Sequence, residues 1–414
     1  MEFIADFHIH SKYSRATSKD MDVAHIAEWA KRKGITLMGS GDFTHHLWLE
    51  ELKSNFEDLG NGLFKCKDVY FILTTEVSSI YSKKGRTYRI HNMILSPSFK
   101  TTDRINTALS RRGNLASDGR PILGLDAQEL ARMVFDIDEN CMIVPGHIWT
   151  PWFSLFGSMS GFDRIQDCFE DQTSRIFALE TGLSSDPAMN WRLSALDKFT
   201  LVSNSDSHSP SKIGREANVF DCELSYKAIR EVLKTKDRKR FLYTIEFFPE
   251  EGKYHFDGHR LCGVRFEPAQ TREHKGVCPK CGKSLTVGVM NRVEQLADRP
   301  PGYRPSNAIP FRNLIPLQEI IAESKGVAPA SVAVERDYLG CIAKFGTEFD
   351  ILLKATPEEL IKGLSRKVAD GISRMRQGKI SCKPGFDGEY GEISVFAGSE
   401  DAREDKGEQQ LKLF

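Results

Sequence analysis

Within the first 245 residues of this 414-residue chain, six short β-branched or apolar runs (3–7, 35–39, 69–74, 88–95, 141–145 and 200–203) each carry a histidine or carboxylate at or just beyond their ends. The residues concerned are His8, His10, Asp42, Glu76, His91, His147, Asp206 and His208. Helical patterns at 21–33, 126–136 and 226–234, and another through 48–52, fill the gaps between or after these runs. Repeated strand–helix units predict a parallel α/β barrel or open sheet. Such folds place their chemistry at the C-terminal ends of the strands. Alternate side chains of a strand share a side, so His8 and His10 can face one cluster, as can Asp206 and His208. Imidazole and carboxylate donors together suit a borderline divalent ion better than a hard cation alone. The pattern is that of a metal-dependent hydrolase.

The rest of the chain has a different texture. Residues 249–253 form a linker-like break, followed by Cys278-Pro279-Lys280-Cys281-Gly282, the knuckle of a zinc ribbon. His259 and Cys262 offer an upstream pair at the same spacing, and His255 and His274 compete for the fourth position. One structural zinc is expected on His259, Cys262, Cys278 and Cys281. Residues 300–396 read as a mainly helical module, with a helix at 317–324, one or two helices over 356–376 and a capping box from Thr356 to Glu359. Between Lys362 and Lys383 stand seven basic residues and one acid, Asp370. Arg366, Lys367, Arg374 and Arg376 are the candidate contacts to a phosphate backbone. The expected organisation is therefore a metal-dependent domain over 1–247, a ribbon over 248–299, a helical DNA-binding module over 300–396 and a disordered tail over 397–414.

Bulk composition excludes some classes. The 57 basic and 57 acidic residues cancel, so nucleic-acid contacts must come from local patches. No apolar run approaches the length of a membrane span, and residues 1–6 lack the basic segment of a signal peptide, so a soluble, cytoplasmic, monomeric enzyme is the expectation. Nine mostly isolated cysteines fit reduced thiols rather than a disulfide framework.

These residues resemble the PHP (polymerase and histidinol phosphatase) superfamily over about the first 245 positions. Asp6-Phe7-His8-Ile9-His10 is similar to its first motif and Asp206-Ser207-His208 to its last; Glu76 stands where that family has a bridging glutamate. Two positions depart from it. Phe43 follows Asp42 where a histidine is common, and Ser14, Arg15 and Ala16 occupy a stretch that often holds another. The resemblance implies an α/β fold of the PHP-type distorted (β/α) barrel and an active site holding two or three divalent metals (Zn, Mn or Mg). His8, His10, Glu76 and Asp206 would hold one ion, and His91 and His147 a second. Asp42 and His208 would hold a third or orient the others. Asp206, Glu76 and His8 are the expected catalytic centre.

The order of barrel, ribbon, helical module and tail resembles the endonuclease Q family. That resemblance implies cleavage of damaged DNA on the 5′ side of hypoxanthine, uracil, xanthine or an abasic site. A small-molecule phosphatase on the same barrel is the alternative. Enzymes that inspect a base extrude it into a pocket, and Trp149, Trp152 and Phe153 are the expected wall. Gln410, Leu411, Lys412, Leu413 and Phe414 are similar to the peptide by which bacterial enzymes bind the sliding clamp.

Overall fold

The computed structural model describes residues 1–397. The chain opens with β1 (Glu2–Asp6), buried on both faces, with Phe3 and Ala5 in one core layer and Ile4 in the other. The next elements are α1 (Val23–Lys33), β2 (Leu37–Gly39) and α2 (His46–Asn55). Asp22 caps α1 by accepting from the His25 N–H, and Gly34 closes it with φ 89°. A long hairpin follows, β3 (Val69–Lys83) and β4 (Arg86–Ser96), antiparallel from Leu73–Ser96 to Lys83–Arg86. Then come α3 (Phe99–Leu109), α4 (Ala127–Ile137), β5 (Met142–Pro145), β6 (Ala178–Glu180) and β7 (Thr200–Val202).

Strands β1, β2 and β3 run parallel, β4 pairs antiparallel with both β3 and β5, and β6 is parallel to β7. The ring closes where Ile9 bridges Ser207 in parallel fashion beyond β1 and β7, and where the Ile148 N–H donates to the Glu180 carbonyl between β5 and β6. The expected barrel is thus present in distorted form. It is not all-parallel: the 69–96 hairpin inserts one reversed strand. Strands β8 (Ala217–Asp221) and β9 (Phe241–Glu246) extend the sheet outward from β1 as antiparallel neighbours. Neither figured among the strands expected from sequence.

Beyond 248 the segments are interleaved. β10 (Asp257–His259) and β11 (Val264–Phe266) form the ribbon's hairpin, whereas β12 (Phe311–Asn313) joins the main sheet in parallel with β9. The C-terminal helices are α5 (Leu317–Lys325), α6 (Val332–Phe345), α7 (Pro357–Gly363) and α8 (Arg366–Arg376). The capping box at Thr356 and Glu359 forms as expected, and the 356–376 pattern divides into two helices at Leu364-Ser365. The chain then returns to the ribbon, where Phe386 bridges Phe256 and the Asp387 carboxylate accepts from the Arg260 N–H at 2.7 Å. A buried ion pair, Lys33 to Glu348 at 2.7 Å, ties α1 to the C-terminal helices. Among the described residues no helix is long and apolar enough to cross a membrane.

Candidate active site and ribbon centre

Two groups of side chains converge at the barrel mouth. His8, His10, Glu76 and Asp206 bring one ligand atom each within 4.8 Å of one another, and Glu76, His91 and His147 do the same. Glu76 belongs to both. Its Oε2 lies 3.5 Å from His8 Nε2 and 3.2 Å from His10 Nε2, while Oε1 lies 2.7 Å from His91 Nδ1 and 3.2 Å from His147 Nε2. Asp206 Oδ1 stands 3.1 Å from His10 Nε2 and 3.8 Å from His8 Nε2.

Glu76 and His91 reach the mouth from within β3 and β4, not from strand ends, because the hairpin runs on past the barrel. Asp42, His147 and Asp206 lie just after strands with φ of 46°, 29° and 45°. Left-handed backbone at non-glycine residues costs stability and persists only where the surroundings hold it. Here those bends turn the side chains back over the barrel.

A second layer fixes the rings. Glu180 Oε1 and Oε2 both lie 3.0 Å from His8 Nδ1, which leaves Nε2 for the cluster. The same carboxylate accepts from the His147 backbone N–H and from Asn204 Nδ2, each at 2.8 Å. Asp42 Oδ1 faces His10 Nδ1 at 3.0 Å, and its Oδ2 accepts from the Ser11 N–H (2.6 Å), the Ser11 hydroxyl (2.7 Å) and the Ser14 hydroxyl (2.8 Å). Asp42 therefore sits in the orienting position of its two expected ones. His208 is outside both groups: its Nδ1 donates to the Asp206 carbonyl at 2.9 Å and its ring packs 4.6 Å from that of His10.

The donor set fits divalent ions. His8 Nε2, His10 Nε2 and Asp206 Oδ1 are buried without a hydrogen-bond partner, although they face one another. Burial works against the imidazolium of His8, yet Glu180 and Glu76 outweigh it and hold its pKa well above the ordinary histidine value. Burial likewise disfavours the Glu76 carboxylate, but His91, Arg120 and His8 hold it well below the usual range. His91 is driven down to about 4, mainly by burial. Buried carboxylates that demand positive partners, among imidazoles with inward lone pairs, make a cation site.

Sequence reasoning missed Glu180 and Arg120. Glu180 ends β6 as a carboxylate at a strand terminus, the same signal that marked the others. Arg120 carried no such signal; it reaches Glu76 Oε2 at 3.1 Å from the loop before Pro121.

In the ribbon, His259, Cys262, Cys278 and Cys281 bring their ligand atoms within 4.8 Å of one another. The competing histidines are placed elsewhere: His255 is buried beside Phe256, and His274 stacks on Phe266. Burial opposes the Cys278 thiolate, but the backbone N–H groups of Lys280 and Cys281 outweigh it and lower the thiol pKa. This is a closed soft-donor set of structural type.

Other expected sites need correction. Trp149 is fully buried, its indole N–H on Asn190 Oδ1 at 2.8 Å and its ring against Phe156, so it belongs to the core and cannot line a pocket. Trp152 packs on Tyr254, and Phe153 lies 4.9 Å from the His91 ring at the site's edge. Arg376 is occupied as a helix-end cap, donating to the carbonyls of Leu352, Ala355 and Ile351 at 2.8, 2.6 and 2.7 Å. Arg374 pairs with Asp370 and Lys367 lies over the Phe396 ring; Arg366 is exposed at the start of α8. The clamp-like residues Gln410, Leu411, Leu413 and Phe414 lie outside the described residues.

A distorted α/β barrel of PHP type, with a carboxylate-bridged histidine cluster at its mouth and a Cys/His ribbon behind it, defines a metal-dependent hydrolase class. The comparisons narrow this. The structure superimposes on the lesion-specific endonuclease PfuEndoQ from Pyrococcus furiosus with TM-score 0.86 and 32% identity, covering 98% of this chain and 99% of that one. An endonuclease Q complex, with a 27-mer duplex substrate bearing an abasic lesion at its active site, matches with TM-score 0.85 and 33% identity over 97% and 100% of the two chains. Residues 316–379 match the MJ0043 C-terminal domain family. The uncharacterized protein MJ0043 of Methanocaldococcus jannaschii is 33% identical over 292 residues, which span 66% of this chain but only 35% of that protein. The chain belongs to the endonuclease Q family.

Proposed function

We propose that the protein is a metal-dependent DNA-repair endonuclease that cleaves damaged DNA on the 5′ side of deaminated bases and abasic sites. The observation that carries the reading is Glu76 joining two ligand sets at the barrel mouth, in a chain alike over nearly its whole length to a lesion-specific endonuclease and to one bound to an abasic duplex. The small-molecule phosphatase alternative explains the barrel but leaves the ribbon and the C-terminal helices without a role.

Two divalent ions (Zn, Mn or Mg) would be held by His8, His10, Glu76 and Asp206 and by Glu76, His91 and His147. Bound there, divalent ions acidify water and offset charge on a phosphoryl group. Glu180 and Asp42 hold His8 and His10 in the tautomers that turn Nε2 inward. Asp206 and Glu76 supply the carboxylates of that centre, and the left-handed turn at Asp206 aims its Oδ1 at both imidazoles. A zinc ion on His259, Cys262, Cys278 and Cys281 would tie the ribbon together. Phe153, which lies against the His91 edge of the site, with Trp152 beside it in sequence, remains as the aromatic surface for an extruded base. Arg366, exposed at the start of α8, is the proposed contact to the phosphate backbone.

The same proposal includes a cytoplasmic monomer that binds the bacterial sliding clamp through 410–414, supported by the sequence resemblance of that peptide. The test is a duplex with a single deoxyinosine, deoxyuridine or abasic site incubated with Mn, Mg or Zn. A nick leaving a 3′-hydroxyl beside the lesion, lost in Asp206→Ala, is the expected result. Turnover of phosphate monoesters with no cut in the duplex would reject the reading.

A further inference from the structure

The loop over 111–121 brings to the site what its ligand set lacks, a permanent cation. Arg120 Nη1 lies 3.1 Å from Glu76 Oε2, the oxygen that also faces His8 and His10. Its side chain is 27% exposed, so one end is anchored on the cluster and another edge meets solvent. The loop is built to hold it there. Asp118 accepts from the backbone N–H groups of Arg120 and Arg15 at 3.1 and 3.3 Å. The Gly119 N–H donates to the Tyr13 carbonyl at 3.0 Å, and the Gly119 carbonyl accepts from the Thr44 hydroxyl at 3.3 Å. The Pro121 carbonyl is fixed by the Ser78 N–H at 3.0 Å.

Among the described residues Glu76 is the one ion-pair partner of Arg120. A guanidinium carries five N–H donors in a planar fork suited to phosphate. Placed against residues that collect cations, it is repelled by what they bind unless an anion lies between. Asp42, on the same side, has both oxygens committed to His10, Ser11 and Ser14.

We propose that Arg120 is a catalytic residue that donates to a non-bridging oxygen of the scissile phosphate. The inference rests on the proposed nuclease function. In that reaction a water oxygen bonds to phosphorus as the P–O3′ bond breaks, the water gives up one proton, and the leaving 3′-oxygen takes one up. The phosphoryl oxygens gain negative charge on the way, and a preoriented cationic donor stabilises that charge more than the ground state.

The experiment measures single-turnover cleavage of a lesion duplex by native protein, Arg120→Ala and Arg120→Lys, with metal content determined by atomic emission on each. Arg120→Ala is expected to lose about 100- to 1000-fold in rate while keeping its metals and its affinity for the duplex. Added guanidinium ion and Arg120→Lys are expected to restore part of the rate. A native rate in Arg120→Ala, loss of metal with the side chain, or a lost rate that neither guanidinium nor Arg120→Lys restores would overturn the inference. Failure of the native protein to cut would instead overturn the nuclease reading itself.

Discussion

Replacing Glu180 by glutamine tests whether the second layer, and not the ligands alone, makes the site. The carboxylate is fully buried and takes three donors: His8 Nδ1–H, the His147 backbone N–H and the Asn204 amide. Glutamine has nearly the same shape but one acceptor oxygen. If that oxygen takes the Oε1 position, the new NH2 meets the His147 N–H. If it takes the Oε2 position, the NH2 meets Asn204 Nδ2, and Asn204 cannot flip because its Oδ1 already accepts from the Phe7 N–H and from Asn218 Nδ2, each at 2.9 Å. Either orientation leaves one buried donor facing another, which costs about 1–3 kcal/mol. The His8 ring also loses the anion that fixes its tautomer, and loss of such an outer partner weakens metal binding by about 10- to 100-fold. Chelator competition reads the affinity, and urea unfolding of metal-stripped protein reads the first cost. Native values in both assays would refute the reasoning, and a loss of affinity without loss of stability would remove the donor-clash part alone.

A β-carbon added at Gly119 would fall 2.3 Å from both Asp42 Oδ2 and Ser14 Oγ, so Gly119→Ala should cut nicking at least about tenfold through displacement of the His10 support; circular dichroism and metal content check that the fold survives. Arg376→Ala should destabilise the C-terminal helices by about 1–3 kcal/mol, discounted for its partial exposure, because three carbonyls lose their donor. Arg366→Ala should leave stability alone and lower the salt dependence of duplex binding by about one counterion, which a titration over ionic strength measures. Cys278→Ser should remove one zinc per chain and expose the ribbon to proteolysis while the barrel metals stay, as metal analysis with limited digestion would show.

Much of the site was legible because its signals are short. His8 and His10, two residues apart at a strand's end, must share a side whatever the rest of the chain does, and Cys278-x2-Cys281 turns two thiols together by its own tight geometry. The strand–helix alternation likewise announced a parallel α/β barrel or open sheet, and the family resemblance chose the barrel. What the alternation could not show was direction: β4 is reversed because the β3–β4 hairpin is joined by a tight turn, and an apolar run looks the same in either sense.

Tertiary structure alone decided which polar residues face the cluster from far away. Glu180 meets His8 across 172 positions, and Arg120 meets Glu76 across 44, with no local pattern linking either pair. It also separated residues of one composition by surroundings: Trp149 went into the core while Phe153 stayed at the rim, and Arg376, exposed like Arg366, was nonetheless consumed by helix-end carbonyls. The sequence by itself determined the kinds of donor and their local spacing, since those follow from covalent geometry. Which donors converge, and which cation stands beside them, was decided by long-range packing, where burial forces every polar group to find a partner or be one.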